Sequence, residues 1–253
     1  MIIEIIPCLN DNYSYLIHDE SSDIVAIIDP SEFESCFKII DKNYKKLDYI
    51  LNTHHHYDHV GGNEELKKKY NSTILGFEDD KNRIPGIDKL LKDNQEFKIG
   101  NLNFKTFLIP GHTMGHVAFY LKKEQIIFTG DTLFSMGCGR VFEGTYEQML
   151  NSLNKLKNLP KDTKIYFGHE YTLKNLEFCR KFDPINNFLK KKREIIESKI
   201  KNGKPTTPST INEEIQTNIF LRYDDPDVKA ALNLKRASDL EIFTKLRDLK
   251  DNF

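Results

Sequence analysis

Six consecutive positions, His54-His55-His56-Tyr57-Asp58-His59, hold four of the eight histidines in a chain of 253 residues, with one carboxylate among them. Imidazoles crowded this closely repel one another as soon as one is protonated. A merely solvated polar loop leaves that crowding unexplained; a bound cation explains it. The preceding run, Leu47-Asp48-Tyr49-Ile50-Leu51, is apolar and β-prone and predicts a strand over 47–52. Gly61-Gly62 and then Asn63 to Lys68 predict a turn opening into a helix. The histidines therefore leave a strand end and enter a helix, a loop that rigid elements position for chemistry. His54 and His56, two apart on extended backbone, face the same side. Asp58 and His59 lie where the chain turns and face a second point. Imidazole and carboxylate are usual ligands of zinc and iron, and two ligand pairs suit two ions better than one.

The same arrangement recurs along the chain. Strands are predicted at Ile2 to Ile6, Tyr13 to Ile17 and Ile24 to Ile28, and a helix at Glu32 to Lys46, with Phe33, Phe37, Ile40 and Tyr44 on one face. A short strand at Ser72 to Gly76 precedes a polar stretch, 78–94, that reads as an exposed loop. Hairpins follow at 96–108 and 117–129, then a helix at 145–158 and a strand at 164–167. Past three of these strand ends stand Pro110-Gly111-His112, Gly130-Asp131-Thr132 and Gly168-His169-Glu170-Tyr171. If the strands pack in sheets, their ends can converge on one edge. The candidates are then His54, His56, Asp58, His59, His112, Asp131 and His169, the number two metals need when one carboxylate is shared. The strand and helix order predicts a layered α/β domain.

From Asp183 onward strand-like alternation stops, and 184–201, 212–222 and 237–251 read as amphipathic helices. Lys204 to Thr210, with two prolines, breaks the first from the second, and Thr210-Ile211-Asn212-Glu213 has the form of a capping box. A domain boundary is expected near 168–183. The charged fraction is 30% but the net charge is −1, which offers no basic surface for nucleic acid. Lys190-Lys191-Lys192-Arg193 is followed by acidic residues and reads as a solvated helix face. Met1 to Pro7 lacks the basic start of a signal peptide, and no apolar run approaches the ~20 residues of a membrane span. Cys8, Cys36, Cys138 and Cys179 form no CxxC pair and read as reduced thiols of a cytoplasmic protein.

Taken together, the histidine motif with Pro110-Gly111-His112, Gly130-Asp131-Thr132 and Gly168-His169-Glu170-Tyr171 resembles the metallo-β-lactamase superfamily. Within it the chain resembles the hydroxyacylglutathione hydrolase (glyoxalase II) family, nearly end to end. That narrower likeness rests on Asp11-Asn12-Tyr13, Thr132-Leu133-Phe134, Gly137-Cys138-Gly139-Arg140, Lys204-Pro205-Thr206 with Pro208-Ser209-Thr210, Asn218 to Arg222, and Arg247 to Asp251. The resemblance implies an αββα metallo-β-lactamase sandwich with a C-terminal all-α domain, divided as 1–172 catalytic and 173–253 glutathione-binding. It implies two divalent ions, zinc first, with iron or manganese as alternatives. His54, His56 and His112 would hold one, Asp58, His59 and His169 the other, and Asp131 would bridge them. Arg140, Phe142, His169, Glu170, Tyr171, Arg247 and Lys250 fall where the family binds the peptide, the three cations pairing with its carboxylates. Arg140 stands where Lys is common, Phe142 where Tyr is common, and Tyr57 and Ile219 where Trp and Pro are usual. Only Phe142 costs a polar contact, a hydroxyl.

The implied reaction is hydrolysis of S-(2-hydroxyacyl)glutathione, typically S-lactoylglutathione, to glutathione and a 2-hydroxy acid, the second step of methylglyoxal detoxification. Asp58 and Asp131 would be catalytic as well as ligating. The partner is that small thioester, with no nucleic acid or membrane, and the chain is expected to be monomeric. His55 points away from the ligands and reads as a supporting residue; His116, before a strand, reads as structural, and His18 as an ordinary surface histidine. Cys138 reads as a packed thiol. The rivals are a mononuclear-iron persulfide dioxygenase, a secreted β-lactamase, a tRNA-processing nuclease and a metal-binding module without turnover. The last is disfavoured because the ligand set has no gap.

Overall fold

The β-branched and aromatic runs at the start of the chain form β1 (Ile2–Cys8), β2 (Asn12–Asp19) and β3 (Ile24–Ile28), an antiparallel meander with Ile5 opposite Tyr15 and Ile17 opposite Ala26. This computed structural model describes all 253 residues, in two units: Met1–Leu108 with Gly115–Gly130, and Ile109–Met114 with Asp131–Phe253. In the first unit α1 (Phe33–Asn43) crosses back, so that β4 (Tyr49–Leu51) runs parallel to β3. A single turn, α2 (Tyr57–Val60), and α3 (Asn63–Tyr70) lead to β5 (Thr73–Phe77), and β6 (Lys89–Leu91) completes the sheet, both parallel. Parallel crossovers put the carboxyl ends of neighbouring strands side by side, where α/β sheets bind ligands. Here Ile28 lies opposite Leu51, so the chain leaves both strands at Asp29 and Asn52 together.

One face of this sheet, with Leu16, Val25, Ile27, Ile50 and Ile74, packs on Cys36 and Ile40 of α1 and Leu66 of α3. Each such buried aliphatic contributes roughly 1.5–3 kcal/mol. Next come β7 (Glu96–Ile99), β8 (Leu102–Leu108), β9 (Val117–Leu121) and β10 (Ile126–Gly130), an antiparallel meander. Tyr15 of β2 meets Phe128 of β10 at 5.4 Å between centroids, sheet against sheet. Every residue of β9 and β10 is buried, which accounts for the apolar runs Val117 to Leu121 and Ile126 to Phe128. The stretch 78–94 is less exposed than expected: it contributes β6, and Asp80, Ile84 and Leu91 are buried. Its few apolar residues are too scattered to show a period.

The second unit contains β11 (Leu133–Phe134), β12 (Gly137–Cys138), α4 (Tyr146–Lys157), β13 (Lys164–Phe167), α5 (Thr172–Phe182), α6 (Asn187–Lys201), β14 (Ser209–Thr210), α7 (Ile211–Thr217), α8 (Pro226–Ala231) and α9 (Asp239–Asp251). This unit departs from expectation in several places, and α8 falls between the predicted helices 212–222 and 237–251. Helix begins at Thr172, ahead of the predicted 184, and the C-terminal region returns a strand, β14, with Ser209 opposite Ile165 of β13. Two residues are too few for alternation to register. Thr210 does cap α7, accepting from the Glu213 amide at 3.2 Å, but the Glu213 carboxylate turns to Ser209 Oγ instead of closing the box. No helix is long and apolar enough to cross a membrane.

Packing places the His112 loop in this second unit. The Gly144 amide donates to Gly111 O at 3.1 Å and the His112 ring to Arg140 O at 2.8 Å. The unit is fastened by Glu214, which is fully buried. Its Oε1 accepts from Lys192 Nζ at 2.6 Å and from the hydroxyls of Ser135 and Ser209. Its Oε2 accepts from the Met136 amide at 2.6 Å and Asn218 Nδ2 at 3.1 Å. One carboxylate thus ties α6 and α7 to the β11–β12 turn.

Candidate metal-ligand clusters

In the first unit, the loop after β4 brings the predicted histidines together. The His54 ring lies 4.7 Å from His56 and 4.2 Å from His59 between centroids, and His54 and His59 are both fully buried. Asp58 Oδ2 stands 3.7 Å from His59 Nε2 and accepts from Asn12 Nδ2 at 3.0 Å, which orients it. Donor atoms of His54, His59 and Asp29 lie within 4.8 Å of one another. Asp29 was not among the predicted site residues, and its oxygens are already committed. Oδ1 accepts from the Thr53 amide at 2.7 Å; Oδ2 accepts from Thr53 Oγ1 at 2.6 Å and His59 Nδ1 at 3.0 Å.

This network sets the tautomers. With its proton on Asp29, the Thr53 hydroxyl has only lone pairs to offer His54 Nδ1, 3.1 Å away. His54 and His59 therefore both carry hydrogen on Nδ1 and present basic Nε2 atoms, as a metal requires. Asp29 sits just past a strand end like the predicted ligands, with a left-handed φ of 49° that Asp tolerates. The strand-end pattern could have found it. Asp29→Asn is expected to weaken metal binding about 10–100-fold, as loss of a ligand-orienting carboxylate does. Competition with a chelator measures this, and unchanged affinity would refute the role.

In the second unit Asp131 Oδ2 lies 3.5 Å from His112 Nε2 and 3.1 Å from His169 Nε2. All three residues are buried. His112 Nδ1 donates to the Arg140 carbonyl, leaving Nε2 basic. The close approach requires glycine: a Cβ on Gly139 would come within 1.8 Å of Asp131 O and 3.2 Å of His112 Nδ1.

The other histidines are accounted for by packing. His55 Nδ1 lies 3.2 Å from Asp80 Oδ2, and Arg83 holds the other oxygen. Burial opposes ionisation of Asp80, but hydrogen bonds from His55 and Arg83 outweigh it and hold its carboxyl below the usual range. His116 is fully buried and stacks on His54 at 4.6 Å. His18 is half-buried against Tyr44 and paired with Asp23 at 3.1 Å, more enclosed than a plain surface residue.

Around the second cluster stand exposed residues. Phe142, 61% exposed, meets the His112 ring edge-on at 5.2 Å, and Tyr171 stacks on His169 at 4.8 Å. Arg140 is exposed, its Nε 3.4 Å from Asp251 Oδ1. Arg247 is only 3% exposed; it donates to Asp251 Oδ1 at 2.8 Å and Cys138 O at 2.7 Å, so as placed it shapes the 138–140 loop. The Glu170 carboxylate accepts from the Thr206 amide at 2.9 Å and the Thr206 hydroxyl at 2.7 Å. Lys250 Nζ lies over Phe178 and Phe253 at 5.3 and 5.1 Å and donates to Lys174 O; burial, then Arg247, lowers it to about 8. Cys138 is buried, and burial pushes its thiol up, so it is not an activated nucleophile.

Sheet order and ligands at strand ends together define a metallo-β-lactamase fold. Residues 10–169 match the model of the metallo-beta-lactamase superfamily, and residues 170–253 match that of the hydroxyacylglutathione hydrolase C-terminus. Among solved structures, a B3 metallo-beta-lactamase, BLEG-1, superposes with a TM-score of 0.67 at 22% identity, over 87% of this chain and 99% of its own. ETHE1 from Myxococcus xanthus gives 0.70 at 24%, over 98% of this chain and 90% of its own. These structures establish the fold alone.

The narrower assignment comes from sequence. The Pelagibacter ubique protein named hydroxyacylglutathione hydrolase is 53% identical over 100% of both chains, and the Methylococcus capsulatus protein of that name is 44% identical over 98% of this chain and 97% of its own. The chain belongs to the hydroxyacylglutathione hydrolase family.

Proposed function

We propose that this chain is a two-metal thioesterase that hydrolyses S-(2-hydroxyacyl)glutathione, S-lactoylglutathione in the first place, to glutathione and a 2-hydroxy acid. On this reading His54, His56 and His112 would hold one ion and Asp58, His59 and His169 the other, with Asp131 shared. The observation that carries this reading is the position of Asp131, one oxygen of which is within 3.5 Å of both His112 and His169. The donor set fits divalent zinc, iron or manganese: imidazoles with the remote nitrogen tied down, and a carboxylate, Asp58, oriented by Asn12. Zinc is the first assignment. Bound there, the ions supply Lewis acidity and lower the pKa of a bound water towards ~7.

The protein's own groups do the rest. Asp58, oriented by Asn12, is placed to take up a proton. A thiolate leaves more readily than an amide nitrogen, so no strong general acid is needed. Arg140, Phe142 and Tyr171 offer an exposed cation and two apolar rings beside His112 and His169, with His169, Glu170 and Lys250 completing the peptide site and Arg247 holding the 138–140 loop that borders it. Residues 1–172 form the catalytic domain in this reading and 173–253 the substrate domain. The chain acts as a cytoplasmic monomer, which sedimentation tests for the oligomeric state.

Release of glutathione from S-lactoylglutathione by protein carrying two metals is the expected result. Oxygen consumption with a single iron would replace the thioesterase by a dioxygenase. A second expectation concerns pH. Only the ammonium form of Lys250 attracts a carboxylate, and it is lost as pH rises through about 8. KM should therefore climb above pH 8, and Lys250→Gln should show a raised KM without that climb. A KM flat from pH 7 to 9 in the unaltered enzyme would remove Lys250 from the substrate site.

A further inference from the structure

Away from the metal ligands, the first unit holds two thiols in contact. Cys8, the last residue of β1, and Cys36, in α1, bring their sulfurs to 3.9 Å. Both are buried, Cys8 at 3% and Cys36 at 0% exposure. Cys8 adjoins the turn residue Leu9, which is 46% exposed, so Cys8 is the member nearer to solvent. The pair is also asymmetric. The hydrogen bond from Cys36 holds the Cys8 thiol below its ordinary range, while that same bond and burial push Cys36 up. An attacking thiol and a resolving thiol differ in this way. The other two cysteines are occupied in the second unit: Cys138 Sγ meets Arg247, and Cys179 Sγ donates to the Met136 carbonyl at 3.2 Å.

We propose that Cys8 and Cys36 are an oxidisable pair that hydrogen peroxide converts to a disulfide joining β1 to α1. The Cys8 thiolate attacks one peroxide oxygen; the O–O bond breaks, hydroxide leaves and takes up the Cys8 proton as water, and Cys8 becomes a sulfenic acid. Cys36 Sγ then attacks Cys8 Sγ, the S–O bond breaks, and the oxygen leaves as a second water with the Cys36 proton. The two thiols lose two electrons and two protons, and peroxide gains them. The sulfurs must close by roughly 2 Å to reach an S–S bond of about 2.05 Å, a movement of the kind side-chain rotation supplies.

The reaction removes a proton the fold uses. Cys8 Sγ lies 3.4 Å from Ser14 Oγ, whose own hydrogen goes to Asp29 O at 2.6 Å and which accepts from the Ser31 amide at 3.1 Å. With its hydroxyl hydrogen committed, Ser14 takes its hydrogen bond from the Cys8 thiol, and the disulfide has none to give. Ser14 holds the segment carrying Asp29, and Asp29 orients Thr53 and His59. On the two-metal reading, on which this consequence rests, oxidation loosens the cradle of the ligands.

The test treats the full-length, metal-loaded protein with a few equivalents of hydrogen peroxide and digests it without reductant. The expected product is a peptide pair joining Cys8 to Cys36, two mass units below the sum of the reduced peptides. Cys36→Ser should stop at a Cys8 sulfenic acid that dimedone traps; Cys8→Ser should leave Cys36 unmodified. Both thiols reduced at a dose that oxidises Cys138, or Cys8 linked to any other cysteine, would overturn the pair. Metal release to a chelator is measured alongside, and at least twofold faster release from the oxidised protein is expected. Equal rates would overturn the link through Ser14. Reduced protein that binds no metal would instead defeat the two-metal reading, with the linked peptide unaffected.

Discussion

Replacing Asp131 by alanine is expected to lower kcat/KM for S-lactoylglutathione by on the order of 10³-fold or more, about 4 kcal/mol of transition-state stabilisation. Metal content should fall with it. The size of the effect follows from the residue's position. Asp131 is the one carboxylate within 3.5 Å of both His112 and His169, and it is buried. Its removal costs each proposed ion a ligand and leaves no negative charge between two imidazoles. Asp131→Asn keeps the shape but not the charge, and should lose metal more than it loses stability. Metal per chain, activity and melting temperature, measured on both variants, separate these losses. Full activity with metal retained in either variant would end the two-metal assignment.

Glu214→Ala is expected to have the largest effect on stability, about 3–5 kcal/mol, the range for breaking a buried ion pair from one side. For a chain of this length that lowers the melting temperature by roughly 10 °C. The carboxylate is fully buried and accepts from five groups, and its removal leaves Lys192, whose side chain is only 11% exposed, with the more distant Glu213 carboxylate at 3.6 Å. The Met136 amide and Asn218 lose an acceptor as well. Adding Lys192→Met should recover part of the loss, because no buried charge is then left without its close partner. A melting temperature within 2 °C of the unaltered protein would show that the cluster is solvated in practice. The β11–β12 turn leads into Gly139 and Arg140, so a raised KM should accompany the loss of stability.

The seven metal-ligand candidates were legible because each sits beside a turn residue at a strand end, a local pattern that needs no partner to be visible. Strands and helices with strong periodicity, such as β1 to β3, α1 and α4, were legible for the same reason. Within each unit the ligand-bearing loops are assembled, His54 against His56 and His59 in the first, Asp131 against His112 and His169 in the second. Asp29 also stands at a strand end, but that position does not reveal that its carboxylate holds other side chains in place. Its role appears only when Thr53 and His59 arrive from thirty residues or fewer away to share its oxygens.

Arg247 shows the opposite case. A cation in an exposed-looking helix, Arg247-Asp248-Leu249-Lys250-Asp251, reads naturally as a hand held out to a substrate. Packing buries it and turns its donors onto Asp251 and the Cys138 carbonyl, a neighbour 109 residues distant. Lys250, three positions on, keeps its charge against burial only up to about pH 8, which no inspection of the helix alone reveals.

Residue order alone determined the chemistry available to this protein: which side chains can bind a cation, which faces of the strands and helices are apolar, and where the turns fall. These are properties of neighbours in the chain, set by backbone geometry and side-chain type. Tertiary structure decided which of those groups are neutral, which nitrogen of each imidazole is basic, and which charges are spent inside the fold. Those depend on hydrogen-bond partners and burial supplied by distant segments, and a proton's position is settled only once they meet.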